Sequence, residues 1–195
     1  SSYGYFGGGT PFTSRVDRIS YSSDTATAVA KGPLSLAKWD ISATGNSSYG
    51  YFAGGYAPGV QWISTIDRVD YSNDTATAAA RSKLSAGRYR NSGVNNSSFG
   101  YFGGGKQAPG IVATVDRITF SNDTATAVTK GSLTSVRNYF AATGHTSYGY
   151  FGGGQTPTTV STVDRIDYAN DTATAVAKGP LPLARFSLAA SGNSS

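Results

Sequence analysis

The chain has 195 residues, of which 16 are Lys or Arg and 11 are Asp or Glu, so its formal net charge is +5. It contains no cysteine, which excludes disulfides and thiol chemistry. No apolar run approaches the roughly 20 residues that span a bilayer, so we predict no membrane insertion. Tyrosine, phenylalanine, threonine and glycine are frequent and only 14% of residues are charged, a composition typical of an all-β protein.

Taken in chain order, the first 46 residues predict four strands. Residues 3–8 are aromatic and glycine-rich, and residues 16–21 alternate in polarity as a strand does. Ser-Ser-Asp at 22–24 is turn chemistry, after which residues 25–31 form a third strand. The fourth strand, 39–44, ends in small residues, which we expect at a crowded central axis.

The same pattern then occurs three more times. The aromatic and glycine-rich block begins at Tyr3, Tyr49, Phe99 and Tyr148. A later block, Asp-Thr-Ala-Thr-Ala, begins at Asp24, Asp74, Asp123 and Asp171. Self-similarity with a period of about 50 residues predicts a repeat architecture, in which one unit cannot bury its apolar face alone. We therefore interpret the chain as one domain of four repeats, residues 1–46, 47–96, 97–145 and 146–195.

Glycines and Asp-Arg pairs form the repeat signature. The glycines are Gly8, Gly54, Gly104 and Gly153, and the pairs are Asp17-Arg18, Asp67-Arg68, Asp116-Arg117 and Asp164-Arg165. The arginines could form a ring that grips an anionic ligand, or each pair could tie neighbouring strands or neighbouring repeats together by charge-assisted hydrogen bonds. Recurrence in every repeat favours the structural interpretation, because function in repeat proteins tends to lie where repeats differ.

A second basic column comprises Lys31, Arg81, Lys130 and Lys178. With the positive net charge it could attract nucleic acid or acidic glycans through a long-range field. The aromatic residues that normally interleave with basic ones in a nucleic-acid platform do not accompany it. We therefore interpret this column as a solvated rim and expect no nucleic-acid partner.

The order of these blocks resembles the kelch repeat, whose fold is a β-propeller. The glycine pairs match that family, and so do the aromatic residues before the turn and the basic residues before the last strand; these are Tyr21, Tyr71, Phe120 and Tyr168, and Lys38, Arg88, Arg137 and Arg185. The resemblance implies an all-β, four-bladed kelch-like β-propeller with four-stranded antiparallel blades. Residues 187–191 would then pair beside residues 3–8 and close the ring. The alternative is an arc of a larger ring, completed by further repeats or a second copy.

The chain is also similar to kelch-like arrays of bacterial and phage surface or virion proteins. That similarity implies an extracellular or virion-surface location. Because the chain starts and ends at the same phase of the repeat, we expect it to be a mature or excised piece of something longer.

Catalytic and metal-binding sets are not apparent in the sequence, so we predict no enzyme, no metal and no cofactor. His145, the one histidine, lies at a turn and is expected to be solvated. The glycine runs precede no helix and no Lys-Ser/Thr, so they are not phosphate loops. The Asn-Asp-Thr clusters match a glycosylation sequon and could hold calcium, but turn formation already explains them. A hydrolase or oxidase would instead require convergent carboxylates in a deep pocket.

Length varies in one segment of each repeat, directly after the glycine-rich run. These segments are residues 10–15, 56–65, 106–114 and 155–162, with 6, 10, 9 and 8 residues. Loops tolerate insertion where strands do not, so we predict that they form the binding face. The residues expected to contact a partner are Phe12, Tyr56, Gln61, Trp62, Lys106, Gln107 and Gln155.

Trp62 is the residue of this set with the clearest alternatives. A bulky aromatic side chain in the longest loop is favoured at contact sites, but it could equally fold back over its sheet. The sequence therefore favours a non-catalytic binding or assembly module, displayed on a larger protein or particle, that recognises a protein or a glycan. The alternative is a structural spacer or decoration subunit, for example of a phage virion or tail, that contacts copies of itself or neighbouring subunits.

Overall fold

The computed structural model describes residues 2–193 and shows an all-β chain in which every strand pairing is antiparallel. Four main sheets follow one another along the chain. The first contains β1 (Tyr3–Gly7), β2 (Val16–Ser20) and β3 (Val29–Lys31). The second contains β4 (Ser42–Gly45), β5 (Tyr49–Ala53), β8 (Thr65–Asp70) and β9 (Ala79–Lys83). Its longest loop forms a small ribbon of β6 (Tyr56–Ala57) and β7 (Gln61–Trp62).

The third and fourth sheets repeat the four-stranded arrangement of the second. The third contains β10 (Ser92–Asn95), β11 (Phe99–Gly103), β12 (Val115–Thr119) and β13 (Val128–Lys130). The fourth contains β14 (Ala141–Gly144), β15 (Tyr148–Gly152), β16 (Val163–Asp167) and β17 (Val176–Lys178). Single 3-10 turns, Phe120–Asn122 and Tyr168–Asn170, follow β12 and β16.

The core lies between successive sheets. The ring of Phe52 packs over Gly7 of the sheet before it, where an added Cβ would lie 3.0 Å from the ring. Phe151 packs over Gly103 in the same way, at 2.9 Å. Glycine therefore occupies these strand ends because the next sheet's phenylalanine needs the space. Tyrosine and phenylalanine rings stack across each junction, with centroids 4.7, 5.2 and 4.9 Å apart in Tyr5–Tyr71, Tyr51–Phe120 and Tyr101–Tyr168.

The first strands of the last three sheets, β4, β10 and β14, lie side by side. Their small side chains are required by the close approach of the backbones. A Cβ on Gly93 would lie only 2.6 Å from the carbonyl oxygen of Ala43. A hydrogen bond from Ser92 to the carbonyl of Phe140 joins β10 to the start of β14.

The predicted four-bladed closed propeller is wrong. The first sheet has three strands, and residues 187–191, which were expected to complete it, form no strand. Within residues 2–193 no strand pairing joins the first sheet to the fourth. The four sheets therefore form an open row rather than a ring, and the two outer sheets each pack against one neighbour. Residues 187–191 make no backbone pairing with β1, and all of them except the half-buried Leu188 are exposed.

Two strand boundaries also differ from those predicted, for local reasons. The third strand begins at Val29 rather than at residue 25, because residues 21–26 continue the turn. The backbone of Asp40 is left-handed, with φ of 50°, which no strand residue adopts. The fourth strand therefore begins at Ser42 rather than at residue 39.

Candidate binding face

The four variable loops leave corresponding edges of their sheets and meet the segments that lead into the next sheet. We call these the entry segments, residues 38–41, 88–91, 137–140 and 185–188. Backbone bridges join loops to entry segments at Trp39–Tyr56, Tyr89–Lys106 and Asn138–Gln155. The loops and entry segments together are called the loop face below. Three residues predicted to contact a partner, Tyr56, Lys106 and Gln155, are thus held in place by their own backbones.

Aromatic rings form a row across the loop face. Phe12 lies edge-on to Trp39 with ring centroids 5.3 Å apart. Tyr56 is 6.1 Å from Trp39 and 5.7 Å from Tyr89. The structure thus brings together Phe12 and Tyr56, which the sequence predicted, with Trp39 and Tyr89, which it missed. Their signal was present in the sequence, since both follow the basic residue of the entry segment, but we had assigned Trp39 to a strand.

A column of left-handed residues runs beside this row. The entry segments place Asp40, Arg90, Tyr139 and Ser187 at φ of 50, 59, 53 and 54°. A non-glycine residue in this region costs about 1–3 kcal/mol, and such strain concentrates at functional sites. Three hydrogen bonds join the column, in which the backbone N–H of each residue after Asp40 donates to the carbonyl of the one before it, at 2.9, 3.3 and 2.8 Å. Adjacent repeats therefore present four different side chains in register.

Arg90 is the charged centre of the column. Its Nε donates to Asp40 Oδ2 at 2.8 Å. The guanidinium carbon also lies 4.1 Å from the ring centre of Tyr139 and 4.6 Å from that of Tyr89. Burial raises the pKa of the Tyr139 hydroxyl above its ordinary value. The Tyr139 ring in turn lies 5.9 Å from Phe186, which extends the aromatic surface to the fourth entry segment.

The other predicted contact residues lie at the margin of this surface. Trp62 is 37% exposed and its backbone lies against Gly87, where an added Cβ would collide with the Trp62 carbonyl. Gln61 is exposed at the tip of the ribbon with φ of 65°. Gln107 and Gln155 are half-buried. The ribbon that carries Trp62 therefore packs against Gly87 through its backbone, while the Trp62 ring stays partly exposed.

The aspartates of the last three Asp-Arg pairs lie between sheets, whereas Asp17 of the first pair binds Arg15 of its own repeat at 2.7 Å. Asp67, Asp116 and Asp164 are fully buried and pair with the basic residues of the entry segments, Lys38, Arg88 and Arg137, at 3.2, 2.9 and 2.8 Å. Burial lowers the pKa of Arg88, and the carboxylate of Asp116 opposes that effect. These pairs lie wholly inside the junctions, where their side chains are inaccessible to a ligand at the surface.

The arginines of the signature bind the aspartate of the next sheet's turn. Arg68 and Tyr51 donate to Asp123 Oδ2 at 2.8 and 3.0 Å, and Arg81 donates to its Oδ1 at 3.2 Å. The same set joins Tyr5, Arg18 and Lys31 to Asp74, and Tyr101, Arg117 and Lys130 to Asp171. The prediction that Lys31, Arg81 and Lys130 form a solvated rim is therefore wrong, because each binds a carboxylate across a junction.

These contacts shift the pKa values of both partners. Burial raises the pKa of Asp123, but hydrogen bonds from Arg68 and Tyr51 outweigh it and hold the pKa below its ordinary value. Burial and the hydrogen bond to Asp74 raise the pKa of Tyr5 to about 12. Because the same shifts occur at equivalent positions of several junctions, we assign them to structure rather than to catalysis.

A metal-binding group and a polar cleft are the other features that could form a functional site. Among residues 2–193 no group of three or more His, Cys, Asp or Glu could hold a metal ion. A polar cleft at the opposite end of the inner strands is lined by Asn96, His145, Asn193 and neighbours, with no carboxylate. His145 is exposed and its Nδ1 accepts from the N–H of Ser147 at 3.4 Å, as Asn96 does from Ser98. In the described part of the chain, no helix is long or apolar enough to cross a bilayer.

Comparisons with known proteins support the fold alone. No protein-family model and no curated protein sequence matches the chain. A solved structure titled "Structure of YjhT" aligns with a TM-score of 0.76 and 9% identity, over 93% of this chain and 63% of that one. The chain thus spans less than two thirds of that protein's length. The predicted membership of the kelch family is not supported, since no family model matches and the sheets form no closed ring.

Proposed function

We propose that the chain is a non-catalytic binding module and that its loop face binds a glycan. The observation that carries this proposal is the row of rings from Phe12 to Tyr89 beside the left-handed column at Arg90. The strained backbone positions recur in all four repeats, yet their side chains differ. Function in repeat proteins concentrates where the repeats differ on a common scaffold.

The chemistry of this surface suits a sugar. Aromatic faces carry a negative quadrupole that attracts the polarised C–H groups of a pyranose ring. Asp40 and Arg90 supply an acceptor and donors beside those faces, and their ion pair fixes both side chains before a ligand arrives. Side chains that are already ordered lose little entropy on binding, which favours affinity.

A catalytic role has less support from the described residues. The buried carboxylates Asp67, Asp116 and Asp164 each face a basic residue inside a junction. Asp40 lies on the loop face, but it is paired with Arg90, and no second carboxylate is paired with either of them. General acid–base catalysis needs a positioned pair of groups with separated pKa values, and the loop face presents no such pair.

The test is a glycan array with the 195-residue chain, followed by calorimetric titration of each glycan that binds. Tyr89→Ala removes the ring at the end of the row beside Arg90 and is expected to weaken binding about 10-fold or more, in line with aromatic contacts at hot spots. Val128→Ala, on the exposed outer strand of the third sheet, is the matched control and should bind as the parent chain does. The proposal fails if no glycan binds, or if Tyr89→Ala and Val128→Ala bind equally well.

A further inference from the structure

The first and last sheets of the row carry complementary parts of the contact that joins neighbouring sheets. Each internal junction pairs a tyrosine, an arginine and a second basic residue of one sheet with an aspartate of the next. The fourth sheet carries the donors of this set, Tyr150, Arg165 and Lys178, and none of the three has a carboxylate partner among residues 2–193. The first sheet carries the acceptor, Asp24, which is exposed and has no donor in the same described range.

The donor half is already ordered for binding. The guanidinium of Arg165 lies 4.2 Å from the ring centre of Tyr148, as that of Arg117 does from Phe99. In this side-chain conformation Arg117 binds Asp171 at 2.7 Å. Arg165 is therefore held in the conformation that binds an aspartate elsewhere in the chain, and little ordering entropy opposes its use.

The apolar parts of the two ends match as well. Phe6 is 62% exposed, whereas its equivalents Phe52, Phe102 and Phe151 are 4%, 0% and 0% exposed. Tyr21 is 59% exposed, although the corresponding rings of the later repeats stack on the tyrosine of the preceding sheet. The first sheet thus presents an apolar face that each later sheet buries.

The fourth sheet holds empty space where that face would fit. Gly7 and Gly103 each lie under a phenylalanine ring of the next sheet, but a Cβ on Gly152 would meet only Val163 of its own sheet. Gly131 lies so close to the backbone of Ala173 in the next sheet that a Cβ would collide with it. The equivalent Gly179 has nothing within 4 Å.

We propose that these ends bind each other between molecules, so that the first sheet of one copy docks on the fourth sheet of a second copy. Asp24 then binds Arg165, Lys178 and the Tyr150 hydroxyl, Phe6 covers Gly152, and Asp17 approaches Arg185. The occupant is a second copy because this chain itself carries both complementary halves. Such a head-to-tail contact is heterologous, so it generates a closed ring or an open filament of copies. Apart from Arg185, which lies in the fourth entry segment, this surface is separate from the loop face, and the proposal does not depend on the proposed glycan binding.

The first test is sedimentation velocity over a concentration series. The parent chain is expected to associate as its concentration rises. Asp24→Arg breaks the acceptor end and Arg165→Asp breaks the donor end, so each variant alone should associate roughly 30-fold more weakly or worse. An equimolar mixture of the two should associate again, at least to a 1:1 dimer, since each variant retains the end that the other lost.

A second pair of variants avoids charge altogether. Gly179→Val adds a side chain where the folded chain has open space, so it should fold normally yet prevent docking. Gly110→Val, whose position in a variable loop is equally open, is the matched control and should associate as the parent does. The proposal is overturned if the parent chain stays monomeric, if the mixed charge variants do not dimerise, or if Gly179→Val associates like Gly110→Val.

Discussion

Asp123 is a single residue that joins two neighbouring sheets through several hydrogen bonds. Its carboxylate receives Arg68 and Tyr51 on one oxygen and Arg81 on the other, and all three donors belong to the preceding sheet. Charge-assisted hydrogen bonds of this kind are short and strong. Asp24 has the same place in its own repeat but no donor among the described residues, so it contributes none of this energy. The chain therefore contains its own control for the contact.

The first prediction compares these two aspartates. Asp123→Ala leaves two basic groups and a tyrosine hydroxyl without their acceptor, and it should lower the free energy of unfolding by about 3 kcal/mol at pH 7. Asp24→Ala, measured at concentrations where the chain is monomeric, should change it by less than about 0.5 kcal/mol. Urea denaturation of both variants checks this. Equal losses would contradict the assignment of Asp123 as a junction residue.

The pH dependence of the same variants follows from the lowered pKa of Asp123. A carboxylate whose folded pKa lies below its unfolded value of about 3.9 stabilises the protein above that value, and the stabilisation is lost as pH falls through the folded pKa. The parent chain should therefore lose stability below about pH 4 more steeply than Asp123→Ala does. Asp24→Ala should follow the parent.

At the scale of the element, one strand of each later sheet packs against the sheet before it; these strands are β5, β11 and β15, and β1 is their equivalent in the first sheet. The phenylalanine of such a strand is buried only where a preceding sheet supplies a small residue: Gly7 and Gly103 lie beneath the rings of Phe52 and Phe151, and Ala53 shares a buried cluster with Phe102. Phe151 is fully buried, whereas Phe6, in the same strand position, is 62% exposed. Sequence and local structure are the same at the two sites, so the difference comes from packing alone.

The corresponding prediction is that phenylalanine-to-alanine substitutions at these two positions lower the free energy of unfolding by different amounts. Phe151→Ala removes a buried ring and leaves a cavity between the third and fourth sheets, and should destabilise the chain by about 3–5 kcal/mol. Phe6→Ala removes a mostly exposed ring and should cost less than about 1 kcal/mol in dilute solution. Denaturant midpoints give both values. A similar large loss for Phe6→Ala would mean that a further sheet covers the first one.

The strands and their phase were predictable because period-2 alternation and turn chemistry are local signals. The structure of residues 3–7 and 16–20 agrees with that pattern to within one residue. Ring closure was not predictable, because it depends on the angle between successive sheets, which no local pattern encodes. The sequence favoured a structural role for the repeated Asp and Arg residues but did not identify their partners, because adjacency in the sequence does not show that Asp116 binds Arg88 while Arg117 binds Asp171. On the loop face, variable length indicated the loops but not Trp39 and Tyr89, which lie in segments of constant length.

At the scale of the whole molecule, the chain is a one-dimensional series of sheets. In such a series stability is approximately the sum of the units and of their nearest-neighbour interfaces. The second and third sheets each pack against two neighbours, while the first and fourth each pack against one. Opening free energies should therefore be lowest at the ends, since local unfolding follows the density of buried contacts.

Amide hydrogen exchange checks this distribution position by position. Arg18 in β2 and Arg117 in β12 occupy the same register place opposite a tyrosine, so their amides differ only in what surrounds their sheets. We expect Arg18 and its neighbours in the first sheet to exchange faster than Arg117 at low concentration. If copies dock head to tail, raising the concentration should slow exchange in β2 and β16 while leaving β12 unchanged. Equal protection of β2 and β12 at low concentration would instead indicate that the first sheet already has a second neighbour, and the open row would have to be abandoned.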